Sequence, residues 1–249
     1  MLLVQQQGNY RYLPSVNPVP FCSAVIADRG FEIVHATLAR PLPWRAGFQL
    51  AERHLAALGR PRQAVCAAEL RCAEPYTPEG FRTFNAGYAE LLQEWGLFVD
   101  GLGTTARTNV APDTHAPTEQ VMLAFSYTVP ATGAGSSDGG PTFVVSGSPE
   151  RPDVRPGDTS PEALREKVAD VLATLTQRLE AIGFGWDATT EVNVYATVNL
   201  WEALRAEALP RLGPAALHGL RWYPSRPPVT GPAVEIDTRG VRHELRLAV

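Results

Sequence analysis

One order of elements is written twice along this chain of 249 residues, and that repetition restricts the fold more than any single motif does. The copies flank TGAGSSDGGPT at 132–142, a small, polar, glycine-rich stretch of the kind that makes a flexible connection. Each half begins with a short strand, FEIVHA at 31–36 and TFVVSG at 142–147. An amphipathic helix follows in each. The first, 44–59, brings Phe48, Leu55 and Leu58 near one face; the second, 160–183, repeats Leu164, Val168, Val171, Leu172, Leu175, Leu179 and Ile182 at three- and four-residue steps. Ser160-Pro161-Glu162 is a helix start, with a capping oxygen and a proline at the first helical position, and Gly59 and Gly183 are helix ends. A second strand (64–71 and 191–198) and a second helix (77–96 and 200–213) come next, and extended segments at 106–130 and 226–248 close the halves. The order strand, helix, strand, helix, strand predicts an α+β or α/β layer architecture in which helices cover one face of a sheet in each half. The expected units are 1–130 and 131–249, each of ordinary domain size, about 110–120 residues of ordered chain.

Composition narrows the function. Hydrophobic residues make up 45% and charged residues 19%, enough apolar side chain for a packed core. A net charge of −4 gives no basic footprint, so nucleic acid is not an expected partner. No apolar run approaches the ~18–20 residues of a membrane span, and MLLVQQQGNYRY lacks the basic start and apolar length of a signal peptide. The expectation is a cytoplasmic protein that does not enter a membrane. Cys22, Cys66 and Cys72 form no CxxC pair and read as reduced thiols. His54, His115, His218 and His243 have no metal-ligand spacing, so no metal is expected. Lys167 is the sole lysine; in ALREKVAD, among charged neighbours, it reads as solvated, which argues against Schiff-base chemistry. GLGTTAR lacks the ending of a phosphate loop.

Several stretches resemble one family. PTFVVSGSP, the helix ending LEAIG, and ATTEVNVYATVNLWEAL resemble the RidA (YjgF-type) family, as does the closing PAVEIDTRGV at 232–241. In the first half, GFRTFNAGYAELL resembles that family's second helix and ARTNVAP its arginine-bearing strand entry. The resemblance covers nearly the whole chain and implies two tandem RidA-like, chorismate-mutase-like units. It implies trimers with ligand clefts between units, hydrolysis of reactive enamines or imines to ketoacids and ammonia, and no cofactor. Chorismatases share a two-unit arrangement, but no chorismatase signature is present.

The resemblance also assigns residues. Arg107 matches the arginine that holds a substrate carboxylate, and a guanidinium fork suits that task; Asn109 stands two positions on. Glu235 matches the terminal-strand glutamate that handles protons or water, and strand alternation puts Asp237 on its face. Ser146 and Gly147 form the strand end that shapes the pocket. The corresponding place in the first half reads His35-Ala36, and His35 is a second acid–base candidate. Departures are clear: Met122 stands near the place of the first half's glutamate, with Glu119 upstream. In GLRWYPSRPPV the arginine is displaced to Arg221 or Arg226, beside Trp222 and two prolines. Arg226 is retained as a substrate-binding candidate. Glu69 and Arg71 share a strand face, as an ion pair across a cleft or a simple surface pair, and Asn193 and Tyr195 are their counterparts in the second half; Phe81, Phe84 and Tyr88 are assigned to packing. The expected site combines Arg107 from one half with Ser146, Gly147 and Glu235 from the other. The leading expectation is hydrolysis of a small carboxylate-bearing imine or enamine; the alternative is a non-catalytic binder of a small anion.

Overall fold

The computed structural model describes residues 1–131 and 141–249; residues 132–140, most of the expected linker, lie outside the described part. In chain order the elements are β1 (Leu3–Gln5), β2 (Tyr10–Leu13), β3 (Ala24–Ala27), β4 (Phe31–Pro43), α1 (Trp44–Ala57) and β5 (Val65–Arg71). Next come α2 (Pro78–Glu94), β6 (Phe98–Val99), β7 (Leu102–Gly103), β8 (Ala106–Pro112) and β9 (Val121–Pro130). Beyond the linker lie β10 (Phe143–Pro149), α3 (Pro161–Ala181), β11 (Glu191–Tyr195), α4 (Trp201–Glu207) and α5 (Leu209–Leu212). The chain closes with β12 (Arg221–Tyr223), β13 (Ser225–Arg226), β14 (Glu235–Gly240) and β15 (His243–Leu247). The fold is α+β with mixed sheets.

Local chemistry sets the helix starts. Thr77 caps α2 by accepting from the Gly80 amide at 3.1 Å, and Ser160 caps α3 by accepting from the Ala163 amide at 3.3 Å; a proline holds the first turn of each. The expected helix over 200–213 is divided into α4 and α5, because Pro210 supplies no amide to continue the ladder. Strand β4 runs seven residues past the expected end at 36. Its register with β9 slips between Thr37 and Leu42, then resumes to Pro43. Leu58, expected on the apolar face of α1, falls at that helix's C-cap and is exposed.

Two large sheets result, in the orders β1-β2-β3-β10-β14-β11-β12 and β13-β8-β5-β9-β4-β15. Strands cross between the halves. The N-terminal β1–β3 extend the sheet built on β10, β14 and β11, and the C-terminal β13 and β15 take both edges of the sheet built on β8, β5, β9 and β4.

Alternation then sorts side chains into layers. Ala24 and Ile26 of β3, Val192 and Val194 of β11, and Ile236 of β14 pack with α3 and α4. Val25 and Ala27 of β3 instead join Cys66, Ala67 and Ala106 of the other sheet in a core between the sheets. A third cluster packs Phe48, Leu55, Tyr88 and Leu92 of α1 and α2 onto β4, β5 and β9. Met122 belongs to that cluster and is fully buried. The polar counterpart of the inter-sheet layer carries Glu235, Asp237 and Arg239 of β14 on one side and Glu69 and Thr108 on the other.

Lys167 corrects the reading of a solvated side chain. It is 2% exposed, and its Nζ lies 2.9 Å from Glu150 Oε1. Leu164 and Val171 stand three residues before it and four after, so it shares their core-facing stripe. Among the described residues no helix is long and apolar enough to cross a membrane.

Candidate active site

Arg107 sits near the start of β8, buried, in a box of aromatic rings. Its guanidinium carbon lies 4.2 Å from the centroid of Phe21, 4.9 Å from Tyr88 and 5.6 Å from both Phe81 and Phe84. Phe81, Phe84 and Tyr88 do pack, as the sequence suggests, but they pack on a cation, each face contributing about 0.5–2 kcal/mol. Nη1 donates to Asn85 Oδ1 at 2.9 Å. Burial pulls the guanidinium down to about 10, so it stays charged at neutral pH. No carboxylate of the described residues stands within ion-pair distance of it. This is a desolvated positive charge facing a cleft.

The end of β10 meets Arg107 from the other sheet. Ser146 Oγ accepts from the Arg107 backbone amide at 2.9 Å and donates to the Cys22 carbonyl at 2.6 Å. Its hydroxyl is thus committed to joining backbones. At Gly147 the requirement is space: an added Cβ would collide with Glu235 Oε1 and come within 3.2 Å of Thr108 Cγ2. The Gly147 amide donates to Thr108 Oγ1 at 3.2 Å. The β10–β14 register shifts here, between Val145 and Ser148, which re-aims the strand end.

Glu235 opens β14. It is buried, and its Oε2 has no hydrogen-bond partner among the described residues. Burial, helped by Asp237 and opposed by Arg107, Arg71 and Arg178, pushes its carboxyl up to about 8. It is therefore mostly protonated at neutral pH. Asp237 also rises, through burial and Glu69, but it accepts from Thr108 Oγ1 (2.6 Å), Asn193 Nδ2 (2.8 Å) and the Tyr195 hydroxyl (2.9 Å). Three donors favour the carboxylate form.

A cleft of about 200 Å³ joins these groups. Arg107, Asn109, Gly147 and Glu235 line it, with Phe21 and Phe81 on one wall and Pro227, Pro228, Val229 and Pro232 on another. Asn109 is locked by Gln120, whose Nε2 donates to Asn109 Oδ1 at 2.9 Å and whose Oε1 accepts from the Tyr76 hydroxyl at 2.8 Å. The cleft can hold a small anion against a cation, beside a neutral acid and an apolar wall.

Two expected residues lie elsewhere. Arg226 is half exposed on β13 and pairs with Asp113 at 3.5 Å. His35 is buried between the sheets, with Nδ1 3.0 Å from Ser126 Oγ and Nε2 3.5 Å from Glu69 Oε1. Burial and Arg239 pull it down to about 4, so it is neutral at pH 7. It belongs to an ionic cluster in which Arg239 contacts Glu69, Glu191 and Glu244, and Arg71 bridges Glu69 (3.5 Å) and the face of Tyr195 (5.4 Å). The same-face reading of Glu69 and Arg71 holds as this ion pair. Among the described residues no group of three His, Cys, Asp or Glu side chains could hold a metal ion.

Sequence reasoning missed Phe21, Asn85, Arg178 and the proline wall. Arg178, in the last turn of α3, donates to the Ser146 carbonyl at 2.9 Å, which fixes the strand end from behind. The prolines were visible as departures from the family pattern. Phe21, Asn85 and Arg178 meet the site only through tertiary contacts and left no local signal.

One cleft of this mixed α+β protein thus holds a buried guanidinium and a buried carboxyl. The family model described as 2-aminomuconate deaminase CnbZ matches residues 2–245, and the chain belongs to that family. A 2-amino-5-chloromuconate deaminase from Comamonas testosteroni is 38% identical over 251 residues, covering 97% of each chain. The resemblance to RidA-type deaminases is borne out at this level. Among solved structures, a chorismatase superposes with a TM-score of 0.50 at 13% identity, over 88% of this chain and 77% of its own, a likeness of fold alone.

Proposed function

We propose that the protein is a cofactor-independent deaminase of 2-aminomuconate-type substrates: unsaturated dicarboxylates whose amine sits on the carbon next to one carboxylate. The observation that carries this reading is the pairing, in one cleft, of a buried Arg107 that has no carboxylate partner among the described residues with a buried Glu235 whose Oε2 has no hydrogen-bond partner among them and whose carboxyl burial pushes up. The family and the 38% identical relative support it.

Arg107 takes the carboxylate beside the amine, in a charge-assisted bond contributing about 1.5–3 kcal/mol. The proline wall lies along the apolar conjugated chain. Glu235 gives its proton to the far carbon of the conjugated enamine, and the nitrogen lone pair moves in to form an iminium. Water then attacks the iminium carbon and its proton passes to Glu235. As the C–N bond breaks, Glu235 protonates the amine, ammonia leaves, and the hydroxyl proton returns to Glu235 as the carbonyl forms. One enamine and one water give one 2-oxo product and one ammonia, with the acid regenerated. Ser146, Gly147 and Asn109 shape the pocket.

We also hold that the two halves are tandem RidA-like units from a duplication, and that chains associate as trimers. Light scattering is expected to give three chains per particle, and a monomer would overturn that assembly. For the activity, ammonia release from 2-aminomuconate is expected from the wild type, and from Arg107→Ala at a kcat/KM lowered about 10–150-fold or more. Tight binding without ammonia release, unaffected by Glu235→Gln, would overturn the deaminase reading in favour of an anion-binding protein.

A further inference from the structure

No hydrogen bond among the described residues holds Glu235 Oε2, so the backbone that leads into β14 bears on where this carboxyl sits. The segment that delivers it, 227–234, contributes Pro227, Pro228, Val229 and Pro232 to the cleft wall before entering β14. One end of this strap is tied to the first half: the Tyr76 amide donates to the Pro228 carbonyl at 2.8 Å, and the Thr230 amide donates to the Tyr76 carbonyl at 3.1 Å. The other end meets an acid. Glu150 Oε1 accepts from the Ala233 amide at 2.7 Å and Oε2 from the Val234 amide at 2.9 Å, the two amides directly before Glu235. Glu150 follows Pro149, which pairs with Glu235 in the β10–β14 register. Its counter-ion is Lys167, the sole lysine, at 2.9 Å from Oε1. Both side chains are almost wholly buried.

We propose that the buried Lys167–Glu150 pair is a positioning device for Glu235, in which the Glu150 carboxylate grips the two preceding amides and Lys167 holds that carboxylate in place from α3. A buried pair of this kind is weak evidence for stability, since apolar replacements of similar volume are often as stable, and fixing geometry is a use that fits its location. Without the grip, Ala233 and Val234 would enter the sheet with nothing on β10 to hold their amides. The strap would then be held only by its Tyr76 hydrogen bonds and by the sheet pairing of Glu235, with nothing fixing the two amides between them.

The proposal rests on the deaminase reading for what Glu235 does, but not for where Glu235 is held. The test uses the double variant Glu150→Gln/Lys167→Met, which removes equal and opposite charges and keeps side-chain size. The charged groups facing Glu235, namely Asp237, Arg107, Arg71 and Arg178, are untouched. Two quantities are read. One is the titration of the Glu235 carboxyl by 13C NMR of labelled glutamate, assigned by its loss in Glu235→Gln. The other is kcat and KM for 2-aminomuconate. The titration midpoint is expected to move by about one unit or more. The value of kcat is expected to fall about 10–100-fold, with KM nearly unchanged because Arg107 is intact. If the double variant does not fold, Glu150→Asp gives the same readouts, since it keeps the charge but draws the grip back by one methylene. A folded variant with the wild-type midpoint and wild-type kcat overturns the proposal. A displaced midpoint in a protein whose wild type releases no ammonia supports the positioning role and sinks the deaminase reading.

Discussion

Glu235 and Arg107 each sit where stability alone would not put them. A buried carboxyl oxygen without a donor costs roughly 1–3 kcal/mol, and a desolvated guanidinium without a carboxylate costs at least as much before its aromatic box offsets it. Linkage gives the cost a sign. The folded-state value of Glu235, about 8, lies above its ordinary 4.5, so the folded protein holds the extra proton. The stability this proton contributes is complete below about 4.5 and is lost as pH rises to about 8. Glu235→Gln is therefore expected to raise the melting temperature at pH 9 relative to the wild type, by more than at pH 5, while abolishing turnover. Equal shifts at both pH values would show that Glu235 titrates normally. Turnover by the wild type is expected to fall as pH passes about 8, and Asp237→Asn, which removes a charge that raises Glu235, is expected to move that fall to lower pH. At this scale the sequence exposed Arg107, Ser146, Gly147 and Glu235 through matched motifs. Strand alternation alone coupled Asp237 to Glu235. The protonation state of Glu235 was not legible, because it depends on burial and on charges from three other elements.

Elements were legible where a local rule decides them. Thr77-Pro78 and Ser160-Pro161 mark helix starts because the cap, the proline and the first turn are adjacent in sequence. Thr77→Ala is expected to cost about 1 kcal/mol, read as a lowered midpoint of chemical unfolding. It should also weaken turnover, since α2 carries Asn85 and three of the rings around Arg107. Elements misread were those where two rules compete. Lys167 has charged neighbours in sequence, but its three- and four-residue spacing from Leu164 and Val171 puts it on the buried stripe, and periodicity prevailed over composition. The end of β10 shows how little slack the site has. Gly147→Ala places a methyl against Glu235 Oε1 and Thr108, with an overpacking cost of about 1–3 kcal/mol. A folded Gly147→Ala protein with full activity would show that the strand end tolerates movement.

For the whole molecule, the repeated order of strands and helices was visible, but the pairing of strands across halves was not. Pairing is decided by contacts between segments far apart in sequence, such as β3 with β10 and β15 with β4, and no local pattern encodes them. Their energetic consequence is large. Separated at the linker, the first segment would keep β1–β3 without β10, and the second would lose the sheet that β13 and β15 edge. Residues 1–131 and 141–249, expressed apart, are expected to aggregate or stay unfolded, and to give a soluble, active complex when produced together. Two independently soluble, cooperatively melting fragments would show that the crossing strands are dispensable.

The crossing strands also bear on heredity. A recombination event that replaced one half of the gene would import a half whose edge strands were shaped for a different companion, and would separate Arg107 from the Glu235 it faces. Such a change is expected to lower stability and to break up the cleft, and the family match accordingly runs across both halves, over residues 2–245.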